Sequence, residues 1–343
     1  MKIAIAGGAG FIGAHLTQAF LDEGHDVIVI DSLLCSSRQA IDPRARFYHI
    51  DIRDERLRDI LRHERPGIVS YHVTQQHCDF PMTPSLTVAD LHIRGLLHVL
   101  ECCVSAGIDK FIFASDGHGL YGQIEAARFP IVEETPLAPL TPCAISKAAG
   151  EWYVRYYTQH YRLKHTILRY AEVYGEPAGL EPAHLHHPLS HFIRALAERR
   201  RPVICGSPDE IHDHIFIDDV VRANLCALHG GENQTMHISS GQGSSLRQLY
   251  ALLAGCMKSE IEPLYLSSPL ATVDTILDNS KARRVLGWQP RIDLAEGVRR
   301  AVARLRREQP EVVQQSLALD AGVETVQPTN VDAGLAEASH TGA

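Results

Sequence analysis

The chain opens on a short apolar run, Lys2 to Ala6, that breaks into Gly7-Gly8-Ala9-Gly10. Beyond it Phe11, Ile12, His15, Leu16, Ala19 and Phe20 fall near helical spacing, and Gly24 closes the segment. A second run, Asp26 to Asp31, is apolar without alternation, as a strand buried on both faces requires. Strand, glycine turn, helix and strand make one βαβ unit. The pattern then repeats: apolar runs at Gly67 to His72, Lys110 to Ala114 and His165 to Arg169 alternate with helical stretches at Asp54 to His63, Leu86 to Ala106 and Ser146 to Tyr161. This alternation predicts an α/β fold with a Rossmann-type doubly wound parallel sheet.

After Gly175 the pattern changes. Glu176 to Pro188 is rich in proline and histidine, a helix is expected at Leu189 to Glu198, and shorter mixed elements run to about Arg307. The expected parts are a nucleotide-type domain over 1–175, a smaller C-terminal substrate-binding region over 176–308 with some segments returning to the sheet, and a flexible tail over 309–343. The 343 residues, 45% hydrophobic and 22% charged, are enough for both parts and fit an ordinary globular protein. A formal charge of -8 argues against nucleic acid, and no window of 18 uncharged apolar residues offers a membrane span. No apolar leader precedes the glycine turn, so the expected location is the cytoplasm. Eight cysteines without a C-x-x-C pair fit reduced, buried thiols better than a zinc or disulfide framework.

Gly7, Gly10 and Gly13 fit G-x-x-G-x-x-G between a strand and a helix that begins at Phe11 and Ile12. Missing Cβ atoms there let the backbone approach a pyrophosphate at the positive helix N-terminus. Asp31, ending the second strand, is placed to accept from an adenosine ribose and to repel a 2′-phosphate, which favours NAD over NADP. The plainer alternative is a tight turn with Asp31 capping a strand end.

With these motifs the chain resembles the NAD-dependent epimerase/dehydratase family of extended short-chain dehydrogenases/reductases, over roughly residues 1–305. Asp51-Ile52-Arg53-Asp54 resembles the family's adenine-contacting segment, and Ser115 through Tyr121-Gly122 its S-S-x-x-V-Y-G stretch. Ser146-Lys147 resembles the end of Y-x-x-x-K, Arg169 to Gly175 resembles R-[YF]-x-N-V-Y-G, and His212 to Ala223 resembles R-D-F-V-Y-V-D-D-V-V-R-A. The resemblance implies NAD contacts at Asp51, Ile52, Lys147 and Tyr170, a catalytic place for Ser115, a substrate place for Gln75, and a homodimer built on the helices around Leu86 to Ala106 and Ser146 to Tyr161.

The departures lie at the chemistry. Where such enzymes carry the acid/base tyrosine, this chain has Cys143, either a thiolate base activated by Lys147 or a small buried replacement. Asp116 and His118 occupy the loop facing the sugar and offer one acid and one base near neutrality, with Glu172 as a third candidate; each has a plainer reading as a loop cap. The positions that hold a diphosphate in the family read Glu172, His212 and, in Ser268 to Val273, no cation; with His212 neutral, two phosphate charges would be poorly paired. His184, His186, His187 and His191 approach a metal-binding spacing, but they are read as solvated loop histidines, with substrate contact by His187 or His191 as the alternative and no metal expected.

The expected activity is a redox-neutral, NAD-dependent modification of a sugar, with dehydration of a nucleoside or related glycoside preferred. A nucleotide-sugar epimerase resembling UDP-sugar 4-epimerases and a catalytically silent NAD-binding regulator are the alternatives.

Overall fold

The unalternating apolar runs become inner strands of a parallel sheet, and the 3.6-period segments become the helices that cover it. The computed structural model describes residues 1–74, 84–125, 128–175, 187–267 and 273–308. The first half of the chain supplies β1 (Lys2–Ala6), α1 (Phe11–Asp22), β2 (Asp26–Asp31), β3 (Arg46–His49), α2 (Arg56–Glu64), β4 (Ile68–Tyr71), α3 (Ser85–Ala89), α4 (Leu96–Ala106), β5 (Lys110–Asp116), α5 (Pro142–Tyr161) and β6 (Lys164–Tyr170). The second supplies β7 (Glu172–Tyr174), α6 (Pro188–Ala197), β8 (Val203–Cys205), β9 (Ile211–Phe216), α7 (Ile217–His229), β10 (Gln234–Ile238), β11 (Gly243–Ser245), α8 (Leu246–Met257), β12 (Leu264–Leu266), α9 (Ser280–Leu286) and α10 (Leu294–Glu308).

Seven strands form the main sheet in the order β10-β6-β5-β4-β1-β2-β3, every pair parallel. The order reverses at β1, so β1 and β4 diverge at their carboxyl ends and open the crevice where α/β sheets bind ligands. Two features differ from the sequence pattern. The strand β3 was not foreseen, because Arg46-Phe47-Tyr48-His49 pairs on one side only and keeps its polar residues at the rim. The expected single helix from Leu86 to Ala106 is interrupted by a π-helical turn, Asp90–Gly95.

β10 returns from the second half to pair with β6 at the sheet edge. Beside it stands a three-stranded sheet, β11-β9-β7, in which β7 runs parallel to β9 with Glu172 opposite His214. One apolar cluster reaches from Ile3 and Leu16 through Leu168 and Phe216 to Val302, joining the two halves of the chain. The candidate chemistry lies at the carboxyl end of β5, whose following loop packs on the start of α5, and at Glu172, where β7 begins.

Candidate active site

The glycine turn is dictated by space. Gly7 sits at φ +79°, and a Cβ there would meet the backbone of His72 at 2.8 Å; a Cβ on Gly13 would lie 2.2 Å from the Gly7 carbonyl oxygen. Only a bare backbone allows α1 to start this close to β1, which leaves the N-terminal N–H groups of α1 facing the crevice. Gly10 is the N-cap of α1, and no side chain caps it. Asp31 accepts from Ala9 N at 3.0 Å, Leu33 N at 2.9 Å and Ser36 Oγ at 2.8 Å, so the carboxylate is rigidly held beside the glycine loop. Phe11 and Ile12 open the helix as placed by the sequence. Asp51 is ion-paired to Arg53 at 2.5 Å, and Ile52 is buried beneath the π-helical turn. This cradle, with a carboxylate at the end of β2, fits a dinucleotide without a 2′-phosphate.

α5 begins with Thr141, whose hydroxyl accepts from Ala144 N at 3.2 Å, followed by Pro142 at the first helical position. That start fixes Cys143 and, one turn on, Lys147. Cys143 is buried and packs with Val88 of α3. Lys147 Nζ donates to Ala114 O at 2.9 Å and to Val73 O at 3.4 Å, and stands 5.2 Å over the Phe113 ring. Its charge is therefore fixed at the carboxyl ends of β4 and β5, where it joins burial in holding His72 and His92 down to about 3.

The predicted catalytic residues separate into two groups. Ser115 turns away from the crevice and donates to the fully buried Glu151 at 2.7 Å; Arg169 closes on the same carboxylate with Nε at 2.8 Å and Nη2 at 2.7 Å. Asp116 Oδ1 accepts from His118 N and Gly119 N at 2.8 and 3.0 Å, which is the loop-capping alternative. The Tyr170 hydroxyl oxygen accepts from Asn224 Nδ2 at 2.9 Å, while its ring stacks on His72 with centroids 6.3 Å apart.

The second group gathers on Glu172. His212 Nδ1 lies 2.9 Å and His118 Nε2 3.7 Å from Glu172 Oε1, while His214 Nδ1 lies 3.4 Å and His187 Nε2 3.6 Å from Oε2. His187 Nε2 and His214 Nδ1 are 2.9 Å apart. Burial alone would push the Glu172 carboxyl up, but His212, His118 and His214 outweigh it and hold it well below the usual carboxylate range. His212 was expected to be neutral; burial does act to lower it, yet Glu172 and Glu210 on either side raise it to about 10, so it is a cation. His187 and His214, pushed down to about 3 and about 4 chiefly by burial, are neutral imidazoles.

His187 was expected in a solvated loop. It is buried instead, because it caps α6 by accepting from Leu189 N at 3.1 Å. His191, one turn later, is exposed on α6 and outside the cluster. Gln75, His184 and His186 lie outside the described residues. Sequence reasoning missed His214 and Glu210. The signal was present: His212 and His214 are two apart in a strand and so share one face, while Asp213 between them points the other way to Ser240 Oγ at 2.6 Å and Leu277 N at 3.2 Å.

A doubly wound sheet, a bare-backbone turn at the start of α1 and a lysine fixed at the sheet's carboxyl edge define a dinucleotide-dependent enzyme of the short-chain type. The chain belongs to the NAD dependent epimerase/dehydratase family, whose profile matches residues 3–239, and NAD is its cofactor. It is 32% identical over 300 residues to a putative UDP-glucose 4-epimerase of Methanocaldococcus jannaschii, covering 88% of this chain and 97% of that one. The Thermotoga maritima UDP-glucose 4-epimerase, solved with UDP-glucose, superposes with a TM-score of 0.86 at 33% identity, covering 90% and 99% of the two chains. The Thermus thermophilus enzyme, solved with NAD, gives 0.80 at 28% identity, covering 89% and 99%. Among the described residues no helix is long and apolar enough to cross a membrane.

Proposed function

We propose that the protein is an NAD-dependent epimerase of a nucleotide-linked sugar, resembling the UDP-sugar 4-epimerases. The observation that carries this reading is the near full-length match, in sequence and in fold, to proteins named UDP-glucose 4-epimerase. Epimerisation thereby displaces the dehydration preferred from the sequence, and the sugar nucleotide displaces the free nucleoside.

NAD, when bound, would supply the acceptor and then the donor of the hydride exchanged at the sugar carbon. The residues of the chain do the rest. Gly7, Gly10 and Gly13 give the pyrophosphate its approach, and Asp31 receives the ribose. Cys143, one helical turn before Lys147, takes the proton of the sugar hydroxyl as the hydride leaves and gives it back as the hydride returns. The fixed Lys147 ammonium stabilises the thiolate form that this requires. The exposed Leu86, Ile145, Trp152, Tyr153 and Tyr156 on α3 and α5 form an apolar face that suits pairing of two copies.

The test is incubation of NAD-loaded protein with UDP-galactose, followed by NMR of the sugar. Appearance of UDP-glucose supports the reading. A product lighter by one water would overturn it in favour of dehydration, and absence of any hydride exchange with bound cofactor would leave a silent NAD-binding protein. Cys143→Ser and Cys143→Tyr locate the proton step: loss in serine with recovery in tyrosine places the base at this position.

A further inference from the structure

The carboxylate of Glu172 has two oxygens in different circumstances. Oε1 is held by His212, whose far nitrogen stands 3.6 Å from Glu210 Oε1. Oε2 is sealed from solvent and has no hydrogen-bond partner, although it lies between two imidazole nitrogens. A buried, ionised oxygen without a donor is costly, and such groups call for an explanation.

The geometry points to a divalent transition-metal ion of the zinc class held by Glu172 Oε2, His187 Nε2 and His214 Nδ1. These three atoms are separated by 3.6, 3.4 and 2.9 Å. Ligands with bonds of about 2.0–2.1 Å at tetrahedral angles lie about 3.3 Å apart, so the triangle already has the size of three corners of a tetrahedron. The His187 and His214 rings meet at 77°, which lets their in-plane lone pairs converge on one point instead of running parallel. Both rings are buried, at 7% and 4% exposure, and both come from fixed backbone: the cap of α6 and the middle of β9.

The outer partner of the carboxylate fits as well. Glu172 Oε1 is oriented by His212, and His212 in turn faces Glu210, a chain of contacts that fixes a ligating carboxylate. His118 stacks on His212 at 4.8 Å and stands over the same oxygen. In the metal-free state His187 Nδ1 accepts from Leu189 N, so its proton sits on Nε2 and is donated toward His214. Loading moves that proton to Nδ1 and exchanges the cap bond for a metal bond. Two imidazoles and one carboxylate leave the fourth position for water or a substrate oxygen, the ligand count of a catalytic zinc site.

The inference stands on the cluster alone and not on the epimerase reading, so the test uses no sugar. NAD-loaded protein stripped with EDTA is dialysed against ZnCl2 and its zinc is measured by elemental analysis. Wild-type protein is expected to hold one equivalent. Glu172→Gln and His214→Asn should each weaken uptake by more than the roughly 10–100-fold typical of an outer partner, and His212→Gln by that 10–100-fold. His191→Ala, changing an exposed histidine on α6, should hold the full equivalent, and retained NAD shows that each variant is folded. Less than a tenth of an equivalent on wild type, or full uptake by both Glu172→Gln and His214→Asn, overturns the assignment.

Discussion

Glu151 and Glu172 are two carboxylates placed within the same fold, and the chain treats them in opposite ways. Around Glu151 the donors are complete: Arg169 forks onto both oxygens, Ser115 adds a hydroxyl and Arg155 closes at 3.2 Å. Arg169 itself continues to Tyr121 and to the Glu133 carbonyl, so the charge is absorbed in a network that ties β5, β6 and α5 together. Around Glu172 the neighbours are imidazoles that serve as donors or as ligands, and one oxygen is left over. A charge whose partners are all supplied by the chain builds structure, whereas a charge whose partners are incomplete and ligand-like marks a place for something that binds.

The largest effect expected from this contrast is in stability. Glu151→Ala strands a buried arginine and should cost about 3–5 kcal/mol in urea unfolding, while Glu172→Gln in metal-free buffer should cost less, because the His212 imidazole it leaves, unlike a guanidinium, can give up its proton. Equal costs would erase the distinction. Zinc at a hundred times its dissociation constant should raise the stability of wild type by about 2.7 kcal/mol and leave Glu172→Gln unmoved. In the pocket the Glu172, His212 and Glu210 trio carries one more negative than positive charge, so stripped protein should bind UDP poorly. Metal-loaded protein should bind it at least about tenfold tighter by calorimetry, about 1.4 kcal/mol.

A smaller effect separates a surface-linked carboxylate from both. Burial tends to raise the Glu64 carboxyl, but Arg46, Tyr48 and Lys2 bring it down to about 2. Its folded value lies below its ordinary one, so its stabilisation is present above about 4.5 and is lost as pH falls toward about 2. Glu64→Gln should therefore flatten the acid limb of the stability curve in that window and leave neutral pH stability less affected by acidification. Smallest of all, Gly255 in α8 has open space around its missing Cβ, and Gly255→Ala should add at most about 1 kcal/mol, a gauge of what the unfolding assay resolves.

The sheet was legible because its strands are apolar without interruption and its turns are written in glycine. Edge strand β3 escaped since one-sided pairing leaves no continuous apolar run. The glycine turn was legible for the same reason as the sheet: Gly7 and Gly13 are demanded by local backbone contacts. The Glu172 cluster was only half visible. Its members come from the loop after β5, from β7, from the cap of α6 and from β9, and tertiary packing alone joins them. His212-Asp213-His214 did carry a clue in its alternation, but the contiguous run His184 to His187 drew attention to the wrong spacing. Ser115 and Asp116 were expected to face the sugar; the partners that claim them, Glu151 and two backbone N–H groups, are respectively too distant and too local to be read from a motif.

The most direct test is an anomalous difference map, collected at the zinc edge from crystals of the NAD-bound protein grown with zinc. The account predicts one peak about 2.0–2.2 Å from Glu172 Oε2, His187 Nε2 and His214 Nδ1. A map with no peak there, with His187 still capped onto Leu189 N and bonded to His214, would contradict it.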